Sequence, residues 1–296
     1  MMTRKLFALT ILTFKEGVRD RALFGIGLFS LLLMAGSIVV VSMFMRELHK
    51  VTVDINLSAI TFAGLLLSFF VSINLMSKDI DRYTIYSVLS KPFSRSQYIW
   101  GKYLGIMLLI VTAMGILTFC SSLAIWFTKS QYSLYFQGFS WMEFYKAVYA
   151  ELLMFFLLNA LIVFFSTITT SSFITLLFSI STYIAGQTIE EVVLFLKTKH
   201  AAEIFMSEGI NTIIGIVQYI LPNLSVFDLK LQSAHAITIS WDYLAAVTGY
   251  SIVYSIVLLI MASLIFNKRE LRRSGSSSWC YFFLCQYFFV LCFKKI

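Results

Sequence analysis

Six stretches of about twenty apolar residues run through this sequence, near 23–45, 57–77, 99–128, 147–168, 173–194 and 243–266. A helix rises about 1.5 Å per residue, so roughly twenty residues cross the ~30 Å hydrocarbon core of a bilayer. Backbone exposed to lipid must satisfy its own hydrogen bonds, which leaves only helices and closed barrels as spanning structures. These runs are continuous rather than alternating, and that selects helices. The chain therefore reads as an all-α integral membrane protein with six transmembrane helices. Of its 296 residues 59% are hydrophobic and 13% charged, about half the charged share of a soluble domain. The fifth run is the least clean. Glu190 and Glu191 fall near its end, and Gly186 with Gln187 weakens the helix before them, so a break or bend is expected there.

Residues 1–22 read as an amphipathic interfacial helix. Phe7, Ile11, Phe14 and Val18 recur at helical spacing, while Arg4, Lys15 and Arg19 gather on another face. The plainer reading is a polar extension of the first span. The first apolar run follows this charged segment and is long enough to span, so it reads as an anchor rather than a cleaved leader. With the N-terminus in the cytoplasm, the inner segments hold twice as many basic residues as the longer outer loops. Arg4 to Arg21, Lys78 to Lys102 and Lys268 to Arg273 carry the excess. That asymmetry favours a multi-pass protein of the cytoplasmic (inner) membrane with both termini inside. It also accounts for the net charge of +8 without any nucleic-acid partner.

Two segments stand apart from the six runs, which together span residues 23–272. Within the outer segment 197–242, "GINTIIGIVQYILP" (209–222) is apolar but too short to span, and proline stops it. It suits a short re-entrant or interfacial helix before the sixth span, or an ordinary amphipathic helix in a folded loop. Residues 273–296 change character, from "SGSSS" into the aromatic "WCYFFLCQYFFVLCFKKI" without helical periodicity. This atypical hydrophobic tail reads as peripheral, with a membrane anchor as the alternative. It carries three of the four cysteines, and no CxxC or Cys/His cluster points to zinc or a disulfide framework.

The connection between the second and third runs, "SKDIDRYTIYSVLSKPFSRSQYIWGKYLG" (77–105), is dense in charge. From Asp79 to Ser90 it can form a short helix, with Asp79 near the positive end of the dipole and Arg82 at i+3. Ile85, Val88 and Leu89 give that helix an apolar stripe. Pro92 disfavours helical geometry at Lys91 and ends it. A new helix starts at once: Ser94 and Gln97 form a capping box, and Phe93 and Tyr98 occupy the staple positions. Trp100 belongs at headgroup level, and Lys102 is expected to snorkel toward it. The third span thus begins as a rigid, capped lever.

This stretch resembles the signature of ABC-2-type transporter permeases. It is most similar to the branch associated with multicopper-enzyme (nitrous oxide reductase) maturation and gliding-motility export. The family pattern runs acidic–Ile–acidic–basic–Gly–Thr, then Leu-Leu, Ser-Lys-Pro, an Arg and Gly-Lys-Tyr. Here Asp79, Ile80, Asp81, Arg82, Thr84, Leu89, Ser90, Lys91, Pro92, Arg95, Gly101, Lys102 and Tyr103 match it, while Tyr83 stands where glycine is usual. "ILPNLSVFDLK" (220–230) is similar to the family's outer segment before the last span, and the resemblance extends over residues 1 to about 272. It implies a permease subunit of an exporter, with a cytoplasmic coupling helix between spans two and three. ATPase coupling would then fall to Asp79, Ile80, Asp81, Arg82, Thr84, Ile85, Val88, Leu89, Lys91, Pro92 and Arg95. It further implies a separate ABC ATPase subunit binding ATP and Mg, and a second copy of this chain or a related permease beside it in the membrane lipids.

The residues themselves offer no route to ATP. Gly101-Lys102 lacks the remaining glycine and hydroxyl of a phosphate-cradling loop. No cofactor or metal site is expected on this chain: His49, His200 and His235 are scattered, and no catalytic constellation is visible. Asn74 and Asn159 are expected to hydrogen-bond between helices. Glu151 could pair with a basic group or face an outer vestibule. Glu190 and Glu191 point about 100° apart on a helix, which suits an outer gate or salt bridge better than a shared metal. A non-transporting membrane scaffold for a maturation or motility complex is the alternative function.

Overall fold

The computed structural model describes residues 2–41, 48–76, 94–136, 138–169, 171–196 and 221–268. Among them every regular element is a helix. In chain order these are α1 (Met2–Val18), α2 (Arg21–Val41), α3 (Leu48–Met76), α4 (Arg95–Gln131), α5 (Trp141–Ile168), α6 (Ser172–Leu196), α7 (Lys230–Ala234) and α8 (Trp241–Lys268). Five are long and apolar enough to cross a membrane: α3, α4, α5, α6 over Ser172–Val192, and α8. The first apolar run is helical as α2, in which Leu23–Ser37 is a shorter apolar stretch. The expected coupling helix at 79–90, the short helix at 209–222 and the tail at 273–296 lie outside the described residues.

The helices outrun the apolar runs that seed them. α3 begins nine residues before the expected start at 57, and α5 six before 147. Once nucleated, a helix keeps adding one hydrogen bond per residue, so it continues until a cap or loop stops it. α6 stays helical through Gly186 and Gln187 to Leu196, so the expected break is absent. Gly186 has a different use: a Cβ there would sit 2.7 Å from the Pro222 carbonyl oxygen, and the Leu224 N–H donates to the Gly186 carbonyl at 3.0 Å. The glycine lets the segment before α7 lie directly on the helix.

α3 and α5 form the centre. In each, 72% of the apolar window is buried, against 44%, 39% and 22% in α4, α8 and α6. Apolar burial alone does not hold helices together in lipid, where the surroundings are as apolar as the helix; close packing and hydrogen bonds do. The α3–α5 seam supplies both. Any Cβ on Gly64 would run into the Phe155 ring. One turn on, Asn159 donates from Nδ2 to Ser68 Oγ at 3.0 Å, and one turn back Thr61 donates to Glu151 Oε1 at 2.6 Å. α3 carries a π turn at Leu67–Ser72 beside this seam.

The end of the bundle at which α3 finishes and α4 begins is here called the base. α1 packs there along the first turns of α4 through small residues on both sides. A Cβ on Gly101 would lie 2.6 Å from Leu9 Cδ2, and one on Gly105 2.5 Å from Thr13 Cβ and 2.9 Å from the Thr10 carbonyl. The docked face is therefore Leu9, Thr13 and Gly17, all buried. It is not the stripe of Phe7, Ile11, Phe14 and Val18. Phe7 is 65% exposed and Val18 39%, while Ile11 is half-buried and Phe14 packs against the edge of the core.

Gly105→Ala should cost about 1–3 kcal/mol, as overpacking does where backbone blocks retreat. Gly115→Ala, with nothing within 4 Å, should cost nothing. Thermal melts of the two variants in lipid nanodiscs compare them; equal midpoints would mean the seam is loose.

Candidate functional site

At the base, α4 starts as its sequence dictates. Ser94 Oγ accepts from the Gln97 N–H at 3.3 Å and the Ser94 N–H donates to Gln97 Oε1 at 3.2 Å, closing the capping box. Tyr98 is fully buried and stacks on Phe266 with centroids 6.1 Å apart. Arg95 reaches the last turn of α8, donating from Nη1 to the Phe266 and Asn267 carbonyls at 3.3 and 3.2 Å. Terminal carbonyls of a helix have no intrahelical donor and carry the negative end of the dipole, so a guanidinium suits them doubly. Asn267 returns a bond from Nδ2 to Ser96 Oγ at 3.2 Å.

Lys102 departs from expectation. It does not snorkel toward a headgroup layer; it is 3% exposed. It lies between α1, α3 and α4, donating to the Leu75 carbonyl at 2.9 Å and to Glu16 Oε2 at 3.2 Å. The Leu75 carbonyl near the end of α3 and a carboxylate from α1 give the ammonium better partners than the interface would. Glu16 went unnoticed in the sequence. The only local signal was Gly101 and Gly105 bracketing Lys102, a small-xxx-small pair that announces a close neighbour without naming it. The base of α4 is thus tied to α1, to the end of α3 and to the end of α8.

The charged connection leaves from Met76 and returns at Ser94, inside this knot. Asp79, Ile80, Asp81, Arg82, Thr84, Ile85, Val88, Leu89, Lys91 and Pro92 lie outside the described residues, as do Tyr83 and Phe93.

At the far end, the two acids of α6 part company. Both are exposed, but Glu190 receives the Ser225 hydroxyl in a short hydrogen bond and the Asn223 amide at 3.5 Å. Glu190 therefore holds the segment before α7, which also drives Leu224, Phe227 and Leu229 into the core. The segment after α7 is held by a second device. Lys146 and Glu143 pair at 2.9 Å, both buried; Lys146 donates to the Ile239 carbonyl at 2.7 Å and Glu143 accepts the Ile239 N–H at 2.9 Å. The ammonium also lies 4.9 Å from the Trp241 ring centroid, within cation–π reach. In the sequence Lys146 looked like one more outer-loop charge.

Between these anchors Glu151 is buried at 2% exposure on α5. One oxygen takes the Thr61 hydroxyl; the other, Oε2, has no hydrogen-bond partner among the described residues. It lines a small cavity with Met154, Tyr183, Gln187, Phe227, Asp228 and Lys230. Asn159 bridges helices through Ser68, while Asn74 is exposed and makes no such bond among the described residues. Among the described residues no three of His, Cys, Asp and Glu gather where a metal could be held.

Lys102→Met should strand the Leu75 carbonyl and lower stability by about 1–3 kcal/mol. A double-mutant cycle with Glu16→Gln, read from melts in nanodiscs, should give a coupling of about 1 kcal/mol, because Glu16 is half-exposed and screened. Strict additivity would show that the ion pair carries no energy.

No curated protein matches the chain significantly. The family model described as ABC-2 family transporter protein does, over residues 8–271. That interval takes in every described helix from the docked face of α1 to the end of α8. The chain belongs to the ABC-2 family of transporter membrane proteins.

Proposed function

We propose that this chain is the permease subunit of an ABC exporter, driven by a separate ATPase. In this reading α2 completes a set of six spans, the base faces the cytoplasm with both termini, and two copies form the working transporter. The segment 79–90 is the coupling helix, and residues 273–296 are peripheral. The observation that carries the proposal is the knot at the base. Lys102 and Arg95 fasten the start of α4 to α1, to the end of α3 and to the end of α8. A push delivered between Met76 and Ser94 therefore reaches several helices together, where a slack loop would absorb it. The capping box fixes the angle at which that push enters α4.

Family membership supports an ABC ATPase as the partner in general. The basic residues of the base suit the cytoplasmic side, and the exposed Phe7 and Val18 of α1 suit the headgroup layer. ATP and Mg belong to the ATPase subunit in this scheme.

The test uses Ile85→Asp and Leu89→Asp, each placing a charge on the apolar stripe of the coupling helix. Co-reconstituted with the ATPase in vesicles, both variants should insert normally yet lose most of the stimulation of ATP hydrolysis by the permease. Full stimulation in both would reject the coupling assignment. Cargo accumulating on the ATP side instead of leaving it would reject export.

A further inference from the structure

We propose that the cavity beside Glu151 is a binding site for one small monovalent cation, of alkali-ion or ammonium size. The inference does not depend on the direction of transport or on the coupling segment. Its first support is an imbalance of charge. Three ionisable carboxylate or ammonium groups line the cavity: Glu151, Asp228 and Lys230. Lys230 and Asp228 lie 4.0 Å apart, and the Lys230 N–H donates to Asp228 Oδ1 at 3.3 Å, so these two answer each other. Among the described residues no ion pair within 4.0 Å reaches Glu151, so when it is ionised the three groups sum to one net negative charge. A buried carboxylate without a counter-charge is among the most costly arrangements a protein can hold.

Geometry gives the second support. Glu151 lines the cavity, and its Oε2 is buried without a hydrogen-bond partner among the described residues, whereas Oε1 already holds Thr61. Other lining residues carry oxygens of the kind hard cations choose, on the side chains of Thr61, Tyr183, Gln187 and Asp228. The Gln187 amide nitrogen is turned to Met154 Sδ at 3.4 Å, away from that role. The volume of about 20 Å³ suits a single guest the size of a water molecule. With one net negative charge, the site matches a monovalent rather than a divalent ion.

Position gives the guest a consequence. Thr61 belongs to α3, Glu151 to α5, Tyr183 and Gln187 to α6, and Phe227 to Lys230 to the segment entering α7. A cation there bridges three membrane helices to the segment that closes the far end.

Thermal melts of the purified full-length chain in nanodiscs test this, with sodium, potassium or ammonium chloride replacing choline chloride at constant ionic strength and pH. The midpoint should rise with the logarithm of concentration for at least one of the three ions. The rise should vanish in Glu151→Gln and persist in Glu191→Gln, whose parent side chain is exposed. Where Glu151→Gln fails to fold, Thr61→Val decides, and its apparent affinity for the ion should fall at least tenfold. Identical midpoints in choline and in all three salts overturn the proposal. So does a response that survives Glu151→Gln, or that ignores the ion and follows only acidification, which would mark a neutral carboxylic acid.

Discussion

Helices in a bilayer gain nothing from hiding apolar surface against one another, since lipid offers the same comfort. The α3–α5 seam meets that constraint with three steps along one face of α5. Glu151, Phe155 and Asn159 meet Thr61, Gly64 and Ser68 in turn, hydrogen bond, ring on glycine, hydrogen bond. The two polar steps fix the rotation of each helix, and the glycine step sets how closely they approach. α8 joins the same core by donating Ser251 to the Leu153 carbonyl at 2.9 Å, and α4 by donating Tyr103 to the Phe156 carbonyl at 3.1 Å. α5 is thereby fixed on several sides, and the remaining helices are arranged around it.

The two ends of the bundle are closed by different chemistry. At the base, positive side chains of α4 meet carbonyls at the ends of α3 and α8, so the tie is to backbone and moves whole helices. At the far end, carboxylates from α5 and α6 hold the backbone and side chains of loop residues around 223–225 and 239. Helix ends at the base are thus linked to one another, while loops at the far end are pinned onto helix walls.

Much of the helical frame was legible from the lengths of the apolar runs, because the bilayer leaves so little choice of backbone. The capping box at Ser94 was legible too, since its chemistry is local to four residues. What escaped the sequence involved pairs far apart in the chain. Lys102 looked like an interfacial lysine until Glu16 and the Leu75 carbonyl were seen beside it, and Lys146 gave no hint of Ile239. Gly186 was misjudged for the same reason: its lack of a side chain matters for the Pro222 backbone, not for the helix that contains it. At α1 the sequence did not show the docking face, because Leu9, Thr13 and Gly17 meet Gly101, Gly105 and Leu109 far along the chain. In membrane proteins size often decides which face packs, and hydropathy says little about size.

The π turn at Leu67–Ser72 carries a consequence for how α3 is shared between neighbours. Such a turn holds one residue more than an α turn, so it shifts the angular phase of everything after it by about 100°. Before it, Thr61 and Gly64 address α5, and Ser68 in its first half still does; after it, the carbonyl of Leu75 addresses Lys102. The extra residue acts as a phase shifter, letting one rod keep faith with two partners that stand in different directions. Removing a single residue from 67–72 would leave α3 as apolar and as long as a span requires, yet rotate one half of its appointments away from the other.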